Sequence, residues 1–238
     1  MDMTKSRAEI SGMFNRIAHR YDFLNRFLSF GTDTRWRRRA VSAIASLIRP
    51  ETILDVATGT ADLAIEALCL GDVIVTGIDI SDNMLEEGRR KILRLGLQKK
   101  INLMNAPAED IPFPSGSFDV AMAAFGVRNF SDTLGGLREM NRVLKPGGVI
   151  MVLEFSMPKG FLFSNLYRFY FSRVLPVAGR LISRDYSAYR YLPDSVGSFP
   201  EGAEFDSLLV EAGFGSTGMK RLTGGVATIY TARKMTMQ

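Results

Sequence analysis

One cysteine, Cys69, and one histidine, His19, are all that the 238 residues hold of those two types. A single thiol excludes an intrachain disulfide and fits a reducing compartment. The same scarcity excludes a Cys/His zinc cluster or a His-rich metal site, so no metal is expected. No uncharged apolar run reaches the ~18 residues that would span a bilayer. Met1 to Arg20 carries polar and charged residues throughout and lacks the apolar core of a signal peptide, so a cytoplasmic location is expected. Repeats and low-complexity tracts are absent. Charge of one sign is scarce too: 30 Lys and Arg against 25 Asp and Glu leave a formal +5. That excess suits an anionic partner and an ordinary solvated surface equally.

What is present is a core and a rhythm. The chain is 46% hydrophobic and 23% charged, ordinary for a globular protein. Ile10, Met13, Phe14, Ile17, Tyr21, Leu24, Phe27 and Leu28 recur at three- and four-residue steps, which predicts amphipathic helix up to Phe30-Gly31. A second helix is expected from the "DTRWRRR" stretch at Asp33–Arg39 to Ile48, before Pro50. Strand-like and helix-like runs then alternate: "TILDVA", a helix from Ala61, "VIVTGID", a helix capped by Ser81 or Asp82 and stopped at Gly96, "INLMNA", "FDVAMAAF", a helix from Thr133, and "GVIMVLEFS". Alternation of this kind predicts an α/β fold with a parallel sheet covered on both faces. The rhythm breaks over 157–200, a stretch rich in Phe and Tyr, and resumes at Glu204. Two apolar segments flank Thr223-Gly224-Gly225 and predict a closing hairpin, which places an antiparallel strand near one sheet edge. One domain is expected, with residues 1–48 as a helical cap, 49–156 as the cofactor-binding core, 157–200 as a lid and 201–238 completing the sheet.

The turn "ATGT" at Ala57–Thr60 marks the first strand end where a ligand of an open α/β sheet would sit. Asp79 ends the next strand, about 20 residues past Gly59, the spacing at which an acid accepts from ribose hydroxyls. The glycine pair of a dinucleotide site is missing, because Ala61 stands where a second glycine is needed, and no P-loop lysine follows. Asp55, four residues before Gly59, orders the turn. An Asp-x-x-x-Gly turn without dinucleotide glycines suits S-adenosylmethionine, which has no phosphate.

Five stretches carry a resemblance: "LDVATGTAD", "TGIDISDNML", "AEDIPFPSGSFDVAMAAFGVRNF", "LREMNRVLKPGGVIMVLEFS" and "YRYLPDSVGSFP". With the entry segment "MFNRIAHRYDFLNRFLSFGTDTRWRR" they make the chain similar to the ubiquinone/menaquinone biosynthesis C-methyltransferases over nearly its whole length. The resemblance implies a class I, Rossmann-like S-adenosylmethionine-dependent methyltransferase that methylates a ring carbon of a polyprenylated quinol. Demethylmenaquinol is the first expected substrate, and a benzoquinol of ubiquinone biosynthesis is the alternative. By position, Thr60 is expected at the methionine end of the cofactor and Asp79 at the ribose. Pro107 and Ala108 fall at the adenine-contacting pair, where Pro107 has no N–H to donate and Ala108 does. The family's "GTGD" is here "GTAD", which puts Ala61 in place of a glycine facing the cofactor. Ala124 replaces a serine found in some members.

The chemistry asks for a quinol hydroxyl to lose its proton, so that the ring attacks as a phenolate. Arg128 stays protonated and is expected to stabilise that phenolate, with Asn129 and Tyr21 orienting the hydroxyl or a proton-accepting water. His19 is expected on a helix surface near Arg20. The aromatic stretch with Phe161, Leu162 and Phe163 reads either as a core-packing helix or as a lid over a prenyl tail at a bilayer surface. Arg35, Arg37, Arg38 and Arg39 around Trp36 read either as a solvated rim or as contacts to anionic lipid. Expected partners are therefore the quinol, the inner face of the cytoplasmic membrane and a second copy of the chain, with no nucleic acid. An amino-methylating nucleic-acid enzyme would need an Asn/Asp-Pro-Pro-aromatic turn where Phe125-Gly126-Val127-Arg128 stands. A cytosine methylase would need its cysteine there. A non-catalytic cofactor-binding protein would have no need of the Arg128-Asn129 pair.

Overall fold

The computed structural model describes residues 7–158, Tyr191 and 195–235. The expected lid, with Phe161, Leu162 and Phe163, falls largely outside those residues. Chain order runs α1 (Arg7–Leu28), α2 (Thr32–Ala45), β1 (Thr52–Val56), α3 (Asp62–Ala67), β2 (Ile74–Asp79), α4 (Asp82–Arg94), β3 (Ile101–Asn105), β4 (Phe118–Ala124), α5 (Thr133–Val143) and β5 (Leu144–Phe155). After the aromatic stretch come α6 (Ala203–Glu211), β6 (Phe214–Leu222) and β7 (Ala227–Lys234).

The seven strands lie in the order β3-β2-β1-β4-β5-β7-β6. The first five are mutually parallel, and β7 runs antiparallel to both β5 and β6. Period-two alternation explains why the sheet is buried on both faces. Leu54, Val56, Ala121, Ala123, Ile150 and Val152 point into one core. Ile53, Val120, Met122, Val149, Met151 and Leu153 point into the other. Local chemistry sets the helix starts: the Ser81 hydroxyl accepts from the Met84 N–H at α4, and Asp132 accepts from the Gly135 N–H at α5.

The two N-terminal helices part company. The sequence reading made both part of one helical cap. Instead α2 packs on a sheet face, where Trp36, Ala40, Val41 and Ile44 join the second core. Their spacing of four, one and three residues makes a single helical stripe, and each large side chain so buried contributes about 1.5–3 kcal/mol. Arg37 is buried with them and pairs with Asp33 at 2.7 Å and Asp62 at 3.6 Å. Neither Trp36 nor Arg37 is available to a lipid surface, while Arg35, Arg38 and Arg39 are exposed.

Helix α1 does lie over the ligand edge. Asn15 reaches the start of α4, where its Oδ1 accepts from the Ser81 hydroxyl at 2.7 Å and from the Asn83 N–H at 3.1 Å. Ser11 donates to the Ile80 carbonyl at 2.9 Å. Further along, Asp22 accepts from the Thr60 hydroxyl and pairs with Lys91 at 2.6 Å, and Lys91 also holds Asp62. Three carboxylates (Asp22, Asp33 and Asp62) thus face three cations (Arg26, Arg37 and Lys91) where α1, α2, α3 and α4 meet. Equal numbers of opposite charges let a partly buried cluster form without a stranded ion. His19 is on the exposed side of α1.

Candidate functional site

Strand order reverses between β1 and β4, and the carboxyl ends of those strands open a cleft. It encloses about 650 Å³ of empty space, solvent at its mouth included, beneath Ile10, Phe14 and Tyr21 of α1.

Backbone geometry at the two strand ends is unusual for the residues that carry it. Ala57 at φ 55°, Ala61 at φ 67° and Phe125 at φ 58° are left-handed without being glycine. Each such residue costs about 1–3 kcal/mol, and strain of this kind concentrates at functional sites. The two ends touch: a methyl group added at Gly126 would come within 2.6 Å of the Ala57 Cβ. Gly126 therefore lets the chain leaving β4 cross the turn after β1. Gly59, at φ 55°, has nothing within 4 Å of where a Cβ would stand, so its backbone faces open cleft.

Asp79 ends β2 at the cleft floor. One carboxylate oxygen accepts from the Gly59 N–H and the other from the Ser81 N–H, both at 2.8 Å. The Ile80 N–H adds a further pull on the carboxylate, and its two oxygens keep lone-pair capacity for a ligand donor. Burial pushes its pKa up to about 6, against the pull of those backbone N–H groups. Asp55 lies beneath the turn, 1% exposed, and accepts from the Thr58 hydroxyl at 2.6 Å. Its other oxygen has no hydrogen-bond partner among the described residues. Burial raises its pKa to about 7, helped by the negative charge of Asp79 and opposed by the Thr58 bond.

At the far end, Phe125 packs on Phe155 with ring centroids 4.4 Å apart, and Trp36 closes the cluster at 6.1 Å from each. A single 3-10 turn, Val127–Asn129, follows. Arg128 folds back against Glu154 of β5, with Nη1 2.9 Å from the carboxylate. The Glu154 side chain is fully buried and also accepts from the Arg128 and Phe155 N–H groups. Nη1 of Arg128 further donates to the Phe125 carbonyl, its guanidinium lies over the Phe155 ring, and its buried Nε has no partner among the described residues. Asn129 accepts at Oδ1 from the Tyr191 hydroxyl at 3.0 Å. Tyr21 comes down from α1. Burial pushes its phenol above the ordinary value, while Arg128 and a bond to Asn25 pull the other way.

Of the nine residues that sequence reasoning singled out, Tyr21, Gly59, Asp79, Ala108 and Asn129 line this cleft together. Asp55, Thr60, Pro107 and Arg128 are not among the residues that line it, with the Thr60 hydroxyl committed to Asp22 and Lys91. Ala61 corrects an expectation: its methyl is fully buried beside α4 and does not face the cleft. Two residues of the site were missed. Glu154 is a lone charge inside the apolar run "GVIMVLEFS", and that isolation was a usable signal. Glu109 was hidden, because its partners are distant in sequence: it accepts from Ser131 and Asp132 N–H groups and pairs with Arg7 at 3.2 Å.

A family model described as the ubiE/COQ5 methyltransferase family matches residues 1–234. The chain belongs to that family. Curated relatives agree with the assignment. The ubiquinone/menaquinone biosynthesis C-methyltransferase UbiE of Geotalea daltonii is 50% identical over 234 residues, covering 98% of this chain and 99% of that protein. The demethylmenaquinone methyltransferase of Thermus thermophilus is 48% identical over 220 residues, covering 92% and 98%. Among solved structures, a SAM-dependent methyltransferase from Thermotoga maritima superposes with a TM-score of 0.66 at 19% identity, covering 94% of this chain and 99% of that one. That likeness shows the fold, a class I Rossmann-like sheet, which this ubiE/COQ5 member builds from the seven strands above. Among the described residues, no helix is long and apolar enough to cross a membrane.

Proposed function

We propose that this ubiE/COQ5 family member methylates a ring carbon of a polyprenylated quinol, with demethylmenaquinol as the first substrate. The observation that carries the reading is one cleft lined at one end by Gly59, Asp79 and Ala108, and at the other by Tyr21, Phe125 and Asn129. The first end fits the nucleoside of S-adenosylmethionine: Asp79 keeps lone-pair capacity for a ribose, and Gly59 leaves its backbone uncovered. Ala108, with only 6% of its surface exposed, offers the N–H that Pro107 lacks for an adenine edge. When bound, the cofactor supplies a methyl group carried on a sulfonium.

The chain's own residues do the rest. The Phe125 ring gives an aromatic substrate an apolar wall, and α1 above it keeps water away. Tyr21 and Asn129 stand where a ring hydroxyl would be oriented. The Arg128 guanidinium, held by Glu154, places a fixed positive charge behind them, which favours the ring oxygen once its proton has left. Loss of that proton puts electron density on the neighbouring ring carbon. As the ring carbon takes the methyl group, the methyl–sulfur bond breaks and its electron pair stays on sulfur as a neutral thioether; the same carbon then releases its hydrogen as a proton to water and the ring regains aromaticity. Holding the reactants at near-attack distance is worth about 7 kcal/mol or more. The prenyl tail makes contact with a membrane surface part of the same reading.

The test is methyl transfer from labelled S-adenosylmethionine to chemically reduced demethylmenaquinol and to its benzoquinol counterpart, read by mass spectrometry. Transfer to the reduced naphthoquinol, and none to the oxidised quinone, is the expected result. Preference for the benzoquinol would replace the first substrate by the second. No transfer to either, by protein that binds the cofactor, would overturn the proposal. Arg128→Ala should keep cofactor affinity and lose most turnover, and undiminished turnover would remove Arg128 from the mechanism.

A further inference from the structure

Helix α1 has two faces. The inner one, with Ile10, Phe14 and Tyr21, roofs the cleft. The outer one repeats at the same three- and four-residue steps and carries Arg16, His19, Arg20, Phe23 and Arg26. Phe30 follows in the turn that ends the helix. These six are all the exposed residues described from Arg16 to Phe30, and none is acidic. Asp22, the carboxylate of the stretch, is turned to Lys91 and Thr60.

The two rings are the unusual part. Among the described residues, Phe23 and Phe30 are the exposed Phe, Tyr or Trp side chains, at 60% and 84%. Rings open to water beside guanidinium groups suit a partner that is anionic at its surface and apolar just beneath. A phospholipid bilayer with acidic headgroups has that order, and each basic group near it adds attraction. A helix face offers no groove in which a nucleic-acid backbone could run. Position agrees with chemistry: a bilayer resting on the outer face would lie about one helix diameter, ~10 Å, from the cleft that the inner face lines.

We propose that the outer face of α1, together with Phe30, docks on an anionic phospholipid bilayer, with Arg16 and Arg20 on headgroup phosphates and the two rings among the upper acyl chains. The inference rests on the quinol reading above for its purpose, since a polyprenylated substrate resides in a bilayer. The docking itself needs no substrate, so the two can be tested apart.

The experiment is flotation of the full chain with vesicles of phosphatidylcholine alone, and of phosphatidylcholine with about one-third phosphatidylglycerol, at about 0.05 M and 0.5 M salt. Wild type should bind the acidic vesicles at low salt, release as salt rises, and ignore the neutral ones. Arg16→Gln with Arg20→Gln should weaken binding about 30-fold. Phe23→Gln with Phe30→Asn should weaken it about tenfold; Asn is chosen because Phe30 stands at φ 51°, a backbone that Asn tolerates. Cofactor affinity should match wild type in both pairs, which shows that they fold. No binding of wild type to acidic vesicles, or equal binding to neutral ones, would overturn the inference. So would a phenylalanine pair that binds as wild type does, since charge alone would then account for the attraction. Loss of self-association or of RNA binding in these variants, from a protein that ignores vesicles, would assign the face to another partner and overturn it too. Vesicle binding by protein that methylates no quinol would uphold the docking face and refute the substrate reading. Turnover of a short-tailed, soluble quinol by protein that binds no vesicle would do the reverse.

Discussion

Replacing Asp79 by Asn tests the cofactor end of the cleft most directly. Asn keeps the size of the side chain but has one acceptor oxygen where the carboxylate has two. In the structure those oxygens hold the Gly59 and Ser81 N–H groups at 2.8 Å each, so one of those two donors loses its partner. An unsatisfied donor costs about 1–3 kcal/mol, and a protein of this size melts about 2–4 °C lower per kcal/mol. Loss of the buried charge, whose pKa burial has raised, offsets that cost, so at pH 7.5 the variant should be folded and melt within a few degrees of wild type. Its cofactor affinity should fall further, because a hydrogen bond to a charged acceptor is worth about 1.5–3 kcal/mol, or roughly 10- to 100-fold. Proton linkage supplies an independent signature. The Asp79 pKa lies near 6, and only the carboxylate is a charged acceptor, so affinity is full above that pH and lost as the pH falls through it. At pH 5 about a tenth of the protein is ionised at this site, which predicts about tenfold weaker binding than at pH 7.5. Asp79→Asn has no such proton to gain, and the cofactor's own ionisations are common to both proteins. Calorimetric titration of the two proteins at pH 7.5 and pH 5 gives four affinities. The reasoning fails if the variant binds within twofold of wild type, or if its affinity drops between the two pH values as steeply as the wild type's.

Asp55 predicts a pH dependence of stability rather than of binding. Its folded pKa of about 7 stands above the unfolded 3.8, so the folded state holds an extra proton between those values and the protein loses stability as the pH rises across that window. The slope from this group approaches 1.4 kcal/mol per pH unit, and Asp79 adds in the same direction. Asp55→Asn should flatten that limb in urea unfolding of the cofactor-free protein at pH 5 and pH 7, and an unchanged slope would refute the assignment. Ala61→Gly relieves left-handed strain of about 1–2 kcal/mol but gives up a buried methyl worth about 0.8 and adds about 0.4–1 of unfolded-chain entropy. Net stability should stay within about 1 kcal/mol by thermal melting, and cofactor affinity should not change. A several-fold gain in affinity would mean that the methyl faces the cleft after all.

The parts of the fold legible in the sequence were those set by local chemistry. Period-two strands, the Ser81 cap, and Gly59 with Asp79 on successive strand ends each involve residues within about 20 positions of one another. Arg37 shows where this stops. Its pairing with Asp33 is an i, i+4 contact on one helix and could be read from the sequence, but Asp62 is 25 residues away, and only their meeting makes Arg37 an interior residue instead of part of a basic rim. A longer separation hid Asp22 from Lys91, and so the means by which α1 is tied over the cleft. For Arg128 the sequence offered no partner, and the structure supplies Glu154, brought alongside because β5 lies next to β4. Ala61 was misread for a different reason: a small residue in a turn gives no sign of which side its methyl takes.

The final strand in chain order, β7, does not sit at the rim of the sheet but between β5 and β6. A nascent or proteolysed chain that stops at Gly225 has therefore made nearly everything, yet leaves the edge of β5 bare over Val149–Phe155, the seven residues that β7 would have covered. That edge is long, apolar and ready to template pairing with another chain. Termination between Gly225 and the middle of β7 should thus yield an aggregate rather than a slightly shortened enzyme.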